Sequence, residues 1–78
     1  MRYQCAMTLR RAEGALGRVL GTTERRGFRP VAFEGAAGED SDRWNLRMTV
    51  EGDRAATALQ GQLAKLYDCL SVEVSPCR

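Results

Sequence analysis

Apolar and polar side chains alternate in four short stretches of the chain, and this alternation is typical of β-strands that bury one face. The stretches span residues 2–9, 28–34, 44–50 and 69–74, and the alternation is strongest in the third. Residues 35–42, GAAGEDSD, have the composition of a turn or loop. The positions expected to face the core are Tyr3, Cys5, Met7, Leu9, Val31, Phe33, Trp44, Leu46, Met48, Val50, Leu70, Val72 and Val74.

Between these strands, apolar residues recur at spacings of three and four, which predicts two amphipathic helices. The first helix is predicted from Ala12 to Arg26, and Gly27 follows it as a residue suited to a left-handed C-terminal cap. The second helix is predicted to begin after Asp53, which is a good N-cap residue. The predicted core positions of the two helices are Ala12, Leu16, Val19, Leu20, Thr23, Ala56, Leu59, Leu63 and Leu66.

The order of these elements is β-α-β-β-α-β, which is the split βαβ, or ferredoxin-like, plan of an α+β protein. Each β-α-β half requires a right-handed crossover, so the first and third strands should lie in the centre of a four-stranded antiparallel sheet, with both helices on one face. Pro30 cannot donate to a strand ladder, which agrees with an edge position for the second strand. We expect residues 1–78 to form a single domain of this kind. The opposite face of the sheet is predicted to be small and polar, with Gln4, Ala6, Thr8, Ala32, Glu34, Asn45, Arg47, Thr49, Ser71 and Glu73.

Composition and charge narrow the classes of function. The net charge of the 78 residues is +2, with both signs scattered along the chain, which argues against a dedicated nucleic-acid binder. The open face of the central strands also has no aromatic side chain on which a base could stack. No apolar run approaches the roughly 20 residues of a membrane span, and the N-terminus does not resemble a signal peptide. We therefore expect a cytoplasmic protein.

Catalytic and metal-binding chemistry finds little support in the residue types present. The chain has no histidine, so Ser-His-Asp and Cys-His arrangements are excluded. Three cysteines occur without C-x-x-C spacing, so no metal site is expected. Glu39, Asp40 and Asp42 make the predicted loop rich in carboxylates, but such a run is typical of a solvated turn.

Three glycines in the first predicted helix are its least expected feature, because each glycine inside a helix costs roughly 1 kcal/mol relative to Ala. Gly14 lies where the first strand turns into the helix, with free backbone N–H groups that suit a carboxylate or a partner's backbone. Gly17 and Gly21 lie on a flank beside the apolar stripe. Either they are merely tolerated there, or they leave a smooth surface on which a partner packs.

Two segments of the chain carry a resemblance to a known family. Residues 13–28, EGALGRVLGTTERRGF, resemble the pattern N-x-x-G-A-L-x-R-V followed by R-G-[FY] that opens the ACT domain of acetolactate (acetohydroxyacid) synthase small subunits. Residues 43–74, RWNLRMTVEGDRAATALQGQLAKLYDCLSVEV, resemble the rest of that domain, including its Q-L-x-K-L-x-D-[VC]-x-x-V segment. The short length of the chain is most like the isozyme II type.

The resemblance implies a non-catalytic regulatory subunit that forms a homodimer and binds and activates the catalytic large subunit. That partner would hold thiamine diphosphate, magnesium and FAD, and the complex would act in valine, leucine and isoleucine biosynthesis. The alternative is a free-standing ACT-domain sensor that binds a small molecule such as an amino acid and controls another enzyme. The resemblance places an effector site near the first strand–helix loop, and Gly17 and Gly21 are candidate partner contacts. The residues it nominates for the effector loop and interface are Arg11, Ala12, Glu13, Gly14, Ala15, Leu16 and Arg29.

Two positions depart from the family pattern. Arg11 stands where the family has an asparagine three residues before the motif glycine, and Arg29 replaces a second asparagine just after R-G-[FY]. Asparagine offers a donor and an acceptor, whereas arginine offers donors only and adds positive charge beside the ammonium group of an amino acid. We therefore expect valine to bind weakly or not at all.

Overall fold

The computed structural model describes residues 1–38 and 42–77. Its strands form one antiparallel sheet in the order β2-β3-β1-β4. The first and third strands are therefore central, and the predicted ferredoxin-like α+β fold is confirmed. Glu39 and Asp40, part of the predicted carboxylate-rich loop, lie outside the described residues. The elements are β1 (Arg2–Arg10), α1 (Ala15–Arg25), β2 (Arg29–Ala37), β3 (Arg43–Glu51), α2 (Ala56–Ala64) and β4 (Cys69–Pro76).

The core lies between one face of the sheet and the two helices. Alternate residues of β1 and β3 face each other across the strand pair, as in Cys5 opposite Met48 and Met7 opposite Leu46, and both pairs are buried. The opposite face carries the predicted small and polar residues in register, for example Ala6 opposite Arg47. The buried cluster consists of Tyr3, Cys5, Met7, Leu9, Val19, Phe28, Leu46, Met48, Val50, Leu59 and Leu63.

Both predicted helix starts are wrong, and local backbone conformation explains the first. Helix α1 begins at Ala15 rather than at Ala12, because Gly14 adopts a left-handed conformation with φ 79° that interrupts the helical backbone before it. Asp53 does not cap α2: the N-cap is Ala55, which is extended and makes no side-chain capping hydrogen bond. A favourable N-cap residue is therefore present, but the chain runs two residues further before the helix begins.

Three positions predicted to face the core differ from the prediction. Phe33 is opposite Met48 and so lies on the helical side, but it is 43% exposed because the helical layer leaves this edge uncovered. Val31 falls where the β2–β3 register shifts, and it is 42% exposed. A second shift places Cys69 opposite Leu9, so Cys69 packs against the core in the position expected for Leu70.

The two edges of the sheet differ in how they are covered. Helix α2 packs along β4, and the Val74 N–H donates to Gln60 Oε1 of that helix at 2.9 Å. Among the strands that the structure describes, β2 is hydrogen-bonded to β3 alone, and its Val31 and Phe33 side chains are exposed. The β2 edge is therefore the more accessible of the two. Among the described residues, no helix has the length and apolar character needed to cross a membrane.

Candidate functional site

A cleft of about 310 Å³ opens around the loop that joins β1 to α1. One wall is the loop with the first turn of the helix, and the other is Trp44 of β3. Every predicted effector-loop residue except Arg29 therefore lies at one place. The residues that line the cleft are Arg10, Arg11, Ala12, Glu13, Gly14, Ala15, Leu16, Gly17 and Trp44.

Gly14 forms the turn that shapes this cleft. Its φ of 79° is in the left-handed region that side-chain-bearing residues rarely adopt. A Cβ atom at this position would also lie 2.9 Å from Nη1 of Arg18. The N–H groups of Leu16 and Gly17 belong to the first helical turn, which supplies no backbone acceptor for them. The positive end of the α1 dipole thus lies at the cleft. A ligand with a carboxylate or a carbonyl oxygen suits this position.

Arg18 ties the cleft loop to the turn between α2 and β4. Its guanidinium donates to both carboxylate oxygens of Asp68, from Nε to Oδ2 at 2.6 Å and from Nη2 to Oδ1 at 2.9 Å. Nη2 also donates to the Glu13 carbonyl at 2.8 Å. Asp68 in turn accepts the Arg10 N–H at its own backbone carbonyl, at 2.7 Å. The four groups hold the loop against a segment 50 residues away in the chain.

Asp68 is almost completely buried, with 1% of its surface exposed. The hydrogen bonds from Arg18 lower the pKa of the Asp68 carboxyl, against the opposing effect of burial. Arg18 and Asp68 were not predicted as site residues. Asp68 is the last residue of the Q-L-x-K-L-x-D segment. Its position in this motif is the sequence feature that could have marked it as a site residue.

Trp44 has a second role besides packing against the core. It is half-buried, and the Arg11 guanidinium lies 5.8 Å from the centre of its ring, within the range of a cation–π interaction. The Arg11 N–H donates to the Asp42 carbonyl at 2.9 Å, which fixes the start of the loop beside β3. The cleft therefore combines an aromatic wall, a cation and backbone donors. The hydrophobic pattern identified Trp44 only as a core residue.

Arg29 lies at the opposite end of the sheet from Gly14. It is opposite Glu51 of β3, which is itself opposite Arg2 of β1. The Glu51 carboxylate accepts from Arg29 Nη2 and from Arg2 Nε, each at 2.8 Å. These two hydrogen bonds lower the pKa of Glu51 to about 2. Within one chain, the structure therefore does not bring Arg29 together with the Gly14 loop.

The flank predicted for partner contact is open at one of its two glycines. Gly17 is exposed, and a Cβ built on it would meet no atom within 4 Å. Gly21 is half-buried, and its Cβ would lie 3.1 Å from Nη1 of Arg25. Contact of a partner with this flank stays a prediction.

In the part of the chain that the structure describes, no group of three or more His, Cys, Asp or Glu residues is placed to hold a metal ion.

Comparisons with known proteins agree on one family. The family model described as the ACT domain matches residues 11–72. The Escherichia coli protein named acetolactate synthase isozyme 2 small subunit is 32% identical over 74 residues, which are 95% of this chain and 85% of that protein. The Shigella flexneri protein of the same name matches with the same identity and coverage.

Solved structures share the fold. The acetolactate synthase small subunit of Thermotoga maritima superposes with a TM-score of 0.83 at 21% identity, and it covers 95% of this chain but 47% of its own. This chain thus spans about half the length of the Thermotoga protein. The ACT domain of the GTP pyrophosphokinase of Chlorobium tepidum superposes with a TM-score of 0.77 at 12% identity, over 95% of this chain and 96% of its own.

Proposed function

We propose, from the premise that this chain belongs to the family of ACT domains, that it is the regulatory small subunit of an acetolactate synthase, most like the isozyme 2 type. The observation that carries this proposal is the 32% identity to an isozyme 2 small subunit over 95% of the chain. In this role the chain has no active site of its own. It works in the cytoplasm, in branched-chain amino-acid biosynthesis, and the catalytic large subunit holds the thiamine diphosphate, magnesium and FAD.

The small subunit acts as a homodimer that pairs through β2. This edge is the uncovered one, and it presents Val31 and Phe33 with 42% and 43% of their surface exposed. An open strand edge with apolar side chains favours pairing with another strand. Gly17, where an added Cβ would meet no atom within 4 Å, lies on α1, the helix that precedes β2 and contacts it in part.

Such a dimer would also explain how Arg29 belongs to the effector site. A two-fold axis perpendicular to the sheet pairs the start of one β2 with the end of the other. Ala37, the last residue of β2, is opposite Trp44, which lines the Gly14 cleft. Arg29 of the partner subunit would then lie beside this cleft, so that each effector site draws on both chains. Both asparagine-to-arginine departures would meet at one site and weaken valine binding there.

The test is addition of the purified chain to its catalytic large subunit, followed by an assay of acetolactate formation and of FAD retention. We expect no activity from this chain alone and increased turnover from the complex. Unchanged turnover and unchanged FAD retention would contradict the proposal. Saturable binding of an amino acid to the chain, without any effect on the large subunit, would favour the free-standing sensor instead.

A matched pair of glycine variants makes this test specific. Gly14→Ala strains a backbone with φ 79° and places a Cβ 2.9 Å from Arg18, so we expect a disturbed loop and loss of activation. A left-handed conformation costs an alanine about 1–2 kcal/mol, which a folded domain survives. Gly61→Ala is the control, because a Cβ there meets no atom within 4 Å. If both variants activate the large subunit equally, the Gly14 loop has no part in activation.

A further inference from the structure

A pair of arginines meets at one end of the two central strands. Arg10, the last residue of β1, lies directly opposite Arg43, the first residue of β3. Like charges in directly opposite positions of an antiparallel pair destabilise the sheet. Departures from such local rules are expected where a protein has a binding function. This end of the sheet is therefore a candidate site for an anion.

The two arginines share a second cleft, of about 370 Å³. It is separate from the Gly14 cleft but adjoins it, because Arg10, Arg11 and Ala12 line both. Among the described residues, its lining brings the guanidinium groups of Arg10 and Arg43 to one place. The residues that line it are Arg10, Arg11, Ala12, Asp42, Arg43, Tyr67 and Leu70.

The guanidinium of Arg10 is oriented by Tyr67, and its charge also acts on the nearby Asp68 carboxylate, whose pKa it helps to lower. Its Nε donates to the Tyr67 carbonyl at 3.1 Å, and the guanidinium lies 4.9 Å from the centre of the Tyr67 ring. In the part of the chain that the structure describes, these contacts orient the guanidinium and use only Nε as a donor. Within residues 1–38 and 42–77, no carboxylate lies in ion-pair distance of Arg10 or Arg43.

We propose that this second cleft binds a small oxyanion, a phosphate or a carboxylate group of a metabolite, between Arg10 and Arg43. Guanidinium groups bind such anions through paired, charge-assisted hydrogen bonds. Tyr67, which is 77% exposed, and Leu70 supply aromatic and apolar surface for the remainder of the ligand. The site does not depend on the regulatory role proposed above, since it needs neither a second chain nor the large subunit.

An anion in this cleft would act on the Gly14 cleft through the residues that the two share. Neutralising Arg10 removes its repulsion from Arg43, and Arg10 precedes the loop that carries Gly14. The Arg10 N–H is also bonded to Asp68, the partner of Arg18. We therefore expect the bound oxyanion to make the Gly14 loop more rigid, and not to compete with a ligand of the Gly14 cleft.

The experiment follows the arginine Nε–Hε signals of the isolated chain by NMR during titration with inorganic phosphate, and separately with succinate, at constant ionic strength. We expect saturable shifts of the Arg10 and Arg43 signals with at least one of the two probes. A response to phosphate alone, to succinate alone or to both identifies the kind of anion. Shifts that do not saturate with either probe would overturn the proposal.

Arg43→Gln and Arg47→Gln form a matched pair of variants. Both arginines are exposed and fall on the same face of β3, but Arg47 is opposite Glu34 and Ala6 rather than another arginine. Arg43→Gln should weaken anion binding about tenfold or more, the loss of one charge-assisted hydrogen bond. Arg47→Gln should change it less than about twofold. Equal weakening in both variants would show general charge attraction and refute the site.

Discussion

Substitution of Phe33 tests the proposed dimer most directly. About 43% of this residue remains exposed in the single chain. A buried phenylalanine removes about 200 Å² from water, so roughly 90 Å² is left for a partner to cover. At about 25 cal/mol per Å² this burial contributes about 2 kcal/mol per chain, or about 4 kcal/mol per dimer.

Phe33→Thr removes most of that burial and keeps a residue that favours β-strands. Full coverage of both Phe33 side chains is an upper limit, so we expect the dimer dissociation constant to rise by about two to three powers of ten. Sedimentation equilibrium over a concentration series into the tens of micromolar measures this change. Circular dichroism checks that the variant retains the fold.

Tyr67→Thr is the control for the same experiment. Tyr67 is more exposed than Phe33, at 77%, but lies in the turn before β4, away from the β2 edge. Its substitution should leave the dissociation constant unchanged. If both variants dimerise equally well, or if the unaltered chain is monomeric at tens of micromolar, pairing through β2 is wrong.

Three further predictions concern the glycine flank, the effector and acid stability. Gly17→Ala and Gly61→Ala should each raise the free energy of unfolding of the monomer by about 1 kcal/mol, measured by urea denaturation, because an added Cβ meets nothing at either site. Only Gly17→Ala should weaken the dimer. If the two variants form equally stable dimers, the glycine flank is not part of the interface. Calorimetry should detect little valine binding, and the double change Arg11→Asn with Arg29→Asn should create or strengthen it; tight binding by the unaltered chain would contradict this. Glu51 has a folded pKa of about 2, against about 4.3 when unfolded, so the stability it contributes is complete above about pH 5 and is lost as the pH falls from there through about 2. Glu51→Gln should flatten the dependence of the urea midpoint on pH in that window, and an unchanged slope would show that the ion pairs do not matter.

The alternation of apolar residues was sufficient to predict the strands and their order, because it reports directly on one buried face. It could not predict how much of that face the helices cover. Phe33 lies on the predicted side of the sheet but remains exposed, because burial there depends on where the helical layer ends. The start of α1 was placed three residues early because an apolar stripe does not register the backbone angle of Gly14.

The candidate site could be predicted only where it is contiguous in the chain. Residues 11–17 line one cleft because they follow one another around a single turn. Asp68 was missed because its burial depends on Arg18, a partner 50 positions away. Arg29 was assigned to the same site by resemblance, yet α1 returns the chain along the sheet, so β2 begins beside the start of β1, far from Gly14. Spacing along the chain contains no information on which distant residues, such as Arg18 and Asp68, bond to each other.

The hydrogen bond between Val74 and Gln60 has a consequence for polymerisation. A sheet with two open edges can add copies at both sides and grow without limit. Here the Val74 N–H of β4 already donates to the Gln60 side chain of α2, so addition of another strand at that edge is obstructed. Pairing of the proposed kind, through the remaining edge, would therefore end at two copies and eight strands, a closed two-fold assembly rather than a filament.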